Sequence, residues 1–220
     1  MRVAVMTIGS LFWEHHRWQS DALDFDASVP VAAPIRYGRR SARRDDGYTM
    51  VVSRSSPIGS ARIVPFRRHA ADFNELVELA HIVGEAEGFG SDLYTPWGCV
   101  AIAAAPQNPV VDQWRRALGD CATLVISAYS EADVPCDRCA VLHVSLWSPE
   151  LAKHADVVFA AVTKPVATPP RTEEIVAAMG SPPDGNLAYQ YFRRNVNAGI
   201  TTFQDLEIET ALCARGFTPR

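Results

Sequence analysis

The sequence predicts an α+β fold: strands and hairpins in the first third, a flanking amphipathic helix, further strands in the middle and a helical last third. Three observations carry this. "VAVMTI" is a short β-branched run of buried-strand length. Residues 72–88 switch to the three-and-four spacing of a helix, with Phe73, Leu76, Val77, Ala80 and Val83 on one stripe. From residue 164 onward, cap residues alternate with helical patterns.

The 220 residues fit a single domain, in which 1–96 form the core, 97–163 additional strands and 164–220 C-terminal helices. A hydrophobic content of 48% with 21% charged residues is that of a soluble protein with a real core. No apolar run reaches the roughly 18 residues that span a bilayer, so no membrane partner is expected. Five cysteines, scattered except for one CxxC, suit a reducing cytoplasm better than a disulfide framework. The net charge of −4 argues against a general nucleic-acid binder. Nine of the arginines nevertheless fall between Arg36 and Arg68, facing only Asp45 and Asp46.

After "VAVMTI" comes "GSLFW", in which Gly9 frees the backbone to turn or to admit a close neighbour. Such a turn either presents consecutive N–H groups to an anionic ligand or is a strand end packed by two aromatics. "VPVAAPIRY" is extended, its prolines suited to an edge or a strand start. Asp46-Gly47 signals a hairpin into "YTMVVSR", and "SSPIG" turns into "SARIVPF". Asp72 and Glu75 form a capping-box pattern before the 72–88 helix, and Gly88 ends it. Glu87 continues that helix's apolar stripe, so its carboxylate either frays into water or is held inside for a purpose. "WGCVAIAAA", "CATLVISAY", "AVLHVSLW" and "DVVFAAVT" read as strands, with "NPVVDQWRRALGD" a helix between the first two. Thr172, Asp184 and the Thr201/Gln204 pair are the expected starts of three closing helices.

"IGSLFW" after the first strand, the arginine-containing meander, the helix with a late Glu and the closing "YFRRNVNAGITTFQD" together resemble the gamma-glutamylcyclotransferase-like superfamily, in its Gly-Ser-Leu loop version. The resemblance covers about the first 90 residues and, more loosely, the last 40. It implies a small mixed β-barrel with flanking helices. It also implies an enzyme that frees 5-oxoproline from a gamma-glutamyl amide or a related small acyl-amine compound. The sequence holds no nucleotide-binding glycine pattern and no metal quartet, so no cofactor and no metal are expected. On this resemblance Ile8, Gly9, Ser10 and Leu11 bind the glutamyl group, and Glu87, with Glu85 in reserve, is the general base. Arg36, at the head of the arginine cluster, is a further candidate contact to substrate. The family's loop usually begins with Tyr, where this chain has Ile8.

The chemistry is coherent, because an intramolecular cyclisation draws much of its rate from positioning. Burying a carboxylate on an apolar stripe raises its pKa toward the working range of a base. Other signals have everyday explanations beside functional ones. "CDRC" (Cys136, Cys139) with His143 and His154 has either zinc-like or redox spacing, or is two ordinary thiols. His15 and His16 either enter a pocket or form a solvated loop pair. Tyr189, Tyr191 and Phe192 have the spacing of a packed helix face. The arginines are either a solvated rim or a patch for phosphate and carboxylate groups. A competing function follows from that patch: a non-catalytic module docking an acidic partner or nucleic acid. Nothing in the sequence indicates an oligomeric state.

Overall fold

The computed structural model describes residues 1–19, 22–90, 92–105, 107–143, 151–182 and 185–217. Strands β1 (Val3–Thr7), β2 (Val29–Ser41), β3 (Gly47–Val52), β4 (Ile58–Pro65), β5 (Tyr94–Thr95), β6 (Gly98–Ala104) and β7 (Val157–Thr163) form one mixed sheet in the order β3-β2-β4-β1-β7-β6-β5. β1 is antiparallel to β4 and parallel to β7. Among the described residues β3 and β5 are not joined by a ladder, so the sheet is open and the expected barrel closure is absent. The middle strands therefore extend the same sheet that the meander begins.

Side chains of β1 and β7 alternate between two cores, as a pleated strand dictates. Ala4, Met6, Val158, Ala160 and Val162 face a cluster completed by the C-terminal helices. Val3, Val5, Val157 and Phe159 face one completed by α1 (Phe73–Glu87) and α2 (Val110–Leu118). Both faces of the central strands are thus covered, which is why they read as continuous apolar runs rather than alternating ones.

In α1, the Asp72 side chain accepts the Glu75 N–H at 3.0 Å, and Glu75 reaches back to the Ala71 N–H at 2.8 Å. Gly88 closes the helix in the left-handed region at φ 90°. "CATLVISAY" is not a strand: Thr123–Ile126 form the short helix α3. Ala122 and Val125, three apart, are buried while Leu124 is 59% exposed, so the burial follows a helical period. Half of "AVLHVSLW", residues 144–147, lies outside the described residues; Val141 and Leu142 make isolated bridges to Ile102 and Cys136.

After α4 (Leu151–His154) and β7 come α5 (Thr172–Ala177), α6 (Leu187–Asn197) and α7 (Asp205–Ala214). Their starts differ by one to three residues from those expected. Arg171 precedes α5, and Thr172 instead donates from its hydroxyl to Glu207 on α7 at 2.7 Å. Asn186 caps α6 through the N–H groups of Ala188 and Tyr189, while Asp184 lies outside the described residues. Thr202, rather than Thr201, organises the start of α7, its hydroxyl accepting from the Gln204 N–H and donating to Asp205. Thr201 pairs with Ser60, tying this region to β4.

Strand β2 changes partner midway. Val29–Pro34 pair with β4 and Ile35–Ser41 with β3. The half bearing Pro30 and Pro34 is laddered on one side only, so neither proline interrupts a ladder. A register shift between Tyr37 and Arg39 puts Arg39 opposite Thr49 and Arg40 opposite Tyr48. This bulge re-aims the arginine run that follows it.

Candidate active site

The end of β1, the turn after it, the β2–β3 hairpin, the last turn of α1 and one residue of α6 surround a cavity of about 470 Å³. Ile8, Gly9, Ser10 and Leu11 line it, and so does Glu87. Arg36 and Glu85 do not. Arg36 is buried against Asp133 at 3.5 Å, and Asp133 also accepts from Ser53 at 2.7 Å. Glu85 is exposed and accepts a hydrogen bond from Gln19 at 3.1 Å.

The turn is rigidly held. Ser10–Phe12 form a single 3-10 turn, closed by Phe12 N–H to Gly9 O at 3.0 Å. Trp18 donates its indole N–H to Leu11 O at 2.8 Å, and Trp13 donates to Asn195 on α6 at 2.9 Å. Ser10 and Leu11 N–H groups lead the turn, so neither has an acceptor within it. Gly9 has φ −177°, an extended backbone open to any residue. Its need for glycine is steric: a Cβ there would lie 2.5 Å from the Tyr191 hydroxyl. The close neighbour is thus the protein's own tyrosine. Tyr191 accepts the Met50 N–H at 3.2 Å, binding turn, β3 and α6 into one wall. Its side chain is core and lining at once, which its helical spacing alone does not distinguish.

Two carboxylates share the cavity under opposite conditions. Burial pushes the Glu87 carboxyl above its ordinary range; Arg17 and Arg39 pull it back only in part, and Glu14 pushes it further. It remains partly accessible, opening on the cavity. Burial also raises Glu14, but hydrogen bonds from Arg44 and Ser10 and the charges of Arg44 and Arg17 outweigh it and hold Glu14 below its ordinary range. Glu14 pairs with Arg44 and, at 3.3 Å, with Arg17. Neighbouring groups pushed apart in this way are suited to different roles: Glu87 to exchanging a proton, Glu14 to fixing two arginines.

Arginine dominates the remaining wall. Arg39, Arg40, Arg43 and Arg44 line the cavity from β2 and the turn after it, with Arg17 opposite. The Arg39 guanidinium lies 4.5 Å from the centre of the Trp97 ring, which Phe89 braces edge-on. Arg44 sits over Trp13 and Tyr191. Arg40 donates to Asp46 O and to the Tyr48 hydroxyl. The other arginines of the cluster disperse: Arg62 lies over Phe12, while Arg67 and Arg68 pair with Asp24 and Glu78. His16 lines the cavity; His15 stacks on Phe25 instead.

"CDRC" forms a turn built on Asp137, whose side chain accepts the N–H groups of Cys139 and Val141. Cys136 is buried beside Cys99 rather than poised with Cys139. Among the described residues no group of three or more His, Cys, Asp or Glu side chains is arranged to hold a metal ion. Compared with known proteins, the chain matches no family model and no curated protein.

Proposed function

We propose that this protein is a gamma-glutamylcyclotransferase-like enzyme acting on a gamma-glutamyl amide. The observation that carries the reading is that the Gly9–Leu11 turn and Glu87, seventy-odd residues apart in sequence, line one cavity. In this mechanism the glutamyl group sits against the turn. Glu87 takes one proton from the substrate's α-ammonium, freeing the nitrogen to attack the γ-carbonyl carbon, and that nitrogen sheds its second proton to solvent as the ring forms. The oxyanion is met by the N–H groups of Ser10 and Leu11. As the five-membered ring of 5-oxoproline closes, the bond to the departing amine breaks, and Glu87 returns its proton to that amine. A carboxyl with a raised pKa serves both steps better than an ordinary one.

The alternative of a docking module has less support, because the arginines do not present one outward face. Incubating the protein with a panel of gamma-glutamyl amides tests the enzymatic reading. 5-Oxoproline release that Glu87→Gln abolishes is expected; no release from any compound, or full activity in the variant, overturns it.

A further inference from the structure

The arginines that line the cavity outnumber its acids. Arg17, Arg39, Arg40, Arg43 and Arg44 face only Glu14 and Glu87. Glu14 is taken up by Arg17 and Arg44. Among the described residues, no ion pair reaches Arg39 or Arg43, which lie either side of Arg40 on the bulged end of β2 and the turn beyond. Burial pushes the Arg39 guanidinium below its ordinary range, Arg17 and Arg43 oppose it further, and Glu87 and the Tyr191 phenol draw the other way. The wall is thus a convergence of guanidinium groups that protein acids do not neutralise.

A gamma-glutamyl group does not neutralise it either, since its α-amine and α-carboxylate cancel. A carboxylate on the departing amine would answer one guanidinium. A phosphate monoester carries about −1.5 to −2 charges near neutral pH and offers three acceptor oxygens. Two planar forks engage it with paired N–H donors.

We propose that Arg39 and Arg43 form a phosphate subsite, so that the amine released by this enzyme bears a phosphate monoester. The identity of the released product rests on the cyclotransferase reading; the subsite itself does not. Arg39 and Glu87 line the same cavity of about 470 Å³, which bounds the size of the substrate. Glu87 must reach the departing nitrogen, so the phosphate belongs a few bonds away, as in a short phosphoalkylamine.

Three substrates that differ only in this group test the proposal: the gamma-glutamyl amides of O-phosphoethanolamine, glycine and ethanolamine. The phosphate compound is expected to have the highest kcat/KM, at least about tenfold above the neutral one. Arg43→Gln, a change at an exposed position, and Arg39→Gln are each expected to shrink that ratio severalfold, with the melting temperature recorded alongside. Equal turnover of the three compounds, or preference for the glycine compound, overturns the subsite while leaving the cyclotransferase reading intact. Calorimetric titration of O-phosphoethanolamine at low salt gives a readout independent of turnover. Binding that Arg39→Gln weakens, without 5-oxoproline from any compound, supports the subsite and overturns the reading. No binding of O-phosphoethanolamine together with no phosphate preference in turnover overturns the subsite.

Discussion

Glu14 and Glu87 open on one cavity, yet the two corners that hold them are built in opposite ways. Glu14 follows a single 3-10 turn and is gripped by Arg17 and Arg44. Glu87 ends an α-helix whose apolar stripe carries it inward, and burial outweighs the pull of its neighbouring arginines. The difference teaches that burial alone does not create a base. Both carboxylates are desolvated, and what separates them is whether hydrogen-bonded cations stand at contact distance.

Removing the Glu87 carboxylate should have the largest effect. Glu87→Gln is expected to lower cyclisation by a factor of about 10²–10⁴, the usual contribution of general acid–base catalysis, with little change in melting temperature. A parallel collapse in melting temperature would instead make Glu87 part of the framework.

The next effect concerns the wall that both corners share. Gly9→Val drives a side chain into the Tyr191 hydroxyl, and overpacking of this kind costs about 1–3 kcal/mol of stability. Removing the hydroxyl tests the cause: Tyr191→Phe should make Gly9→Ala better tolerated than it is in the parent protein. If the two changes simply add in thermal melts, the tyrosine is not what demands glycine.

Asp205 extends the comparison to a carboxylate away from the cavity. Burial raises it to about 6 against the bonds from Thr202, which lower it. The native protein therefore binds this proton more tightly than the unfolded chain, whose Asp titrates near about 3.9. Stability should fall as pH rises from about 4 to about 6 and stay lower above. Asp205→Asn should accordingly stabilise the protein by about 1–2 kcal/mol at neutral pH and lose that advantage below about pH 4. Urea melts at two pH values measure it, and an unchanged difference would show that the proton is not the cause.

Glu14→Gln should have the smallest effect on stability, about 1 kcal/mol, because its ion pairs are only partly buried. Its value lies in what it releases. Arg17 and Arg44 lose their anchor, and Glu87 loses a neighbouring negative charge, so both changes favour ionised Glu87. Turnover should then persist further into acid than in the parent protein, as pH–rate profiles will report.

Much of this arrangement was legible in the sequence wherever the determining contacts are local. The Asp72/Glu75 cap, the stripe of α1 that ends in Glu87, and the Asp46-Gly47 hairpin all depend on residues a few positions apart. The turn at Gly9-Ser10 was visible too, but not its reason, since Tyr191 lies some 180 residues along the chain and reads simply as a core residue. The parallel pairing of Val3–Met6 with Val157–Ala160 leaves no local trace either. The arginine cluster announced itself as composition. Which members face the cavity depends on the β2 bulge, which puts Arg39 beside Thr49, and on the distant Asp133, which claims Arg36. "CATLVISAY" misled because an apolar run of nine residues carries strand and short-helix patterns equally well.

The pH dependence of 5-oxoproline release from a gamma-glutamyl amide, followed in the parent protein and in Glu87→Gln, bears most directly on Glu87 as the base. The expected profile for kcat/KM has an acid limb above the ordinary carboxylate range of about 4, as burial of Glu87 requires. In Glu87→Gln the residual rate should be low and the limb gone. An acid limb that survives unchanged in the variant would assign the proton transfer to another group.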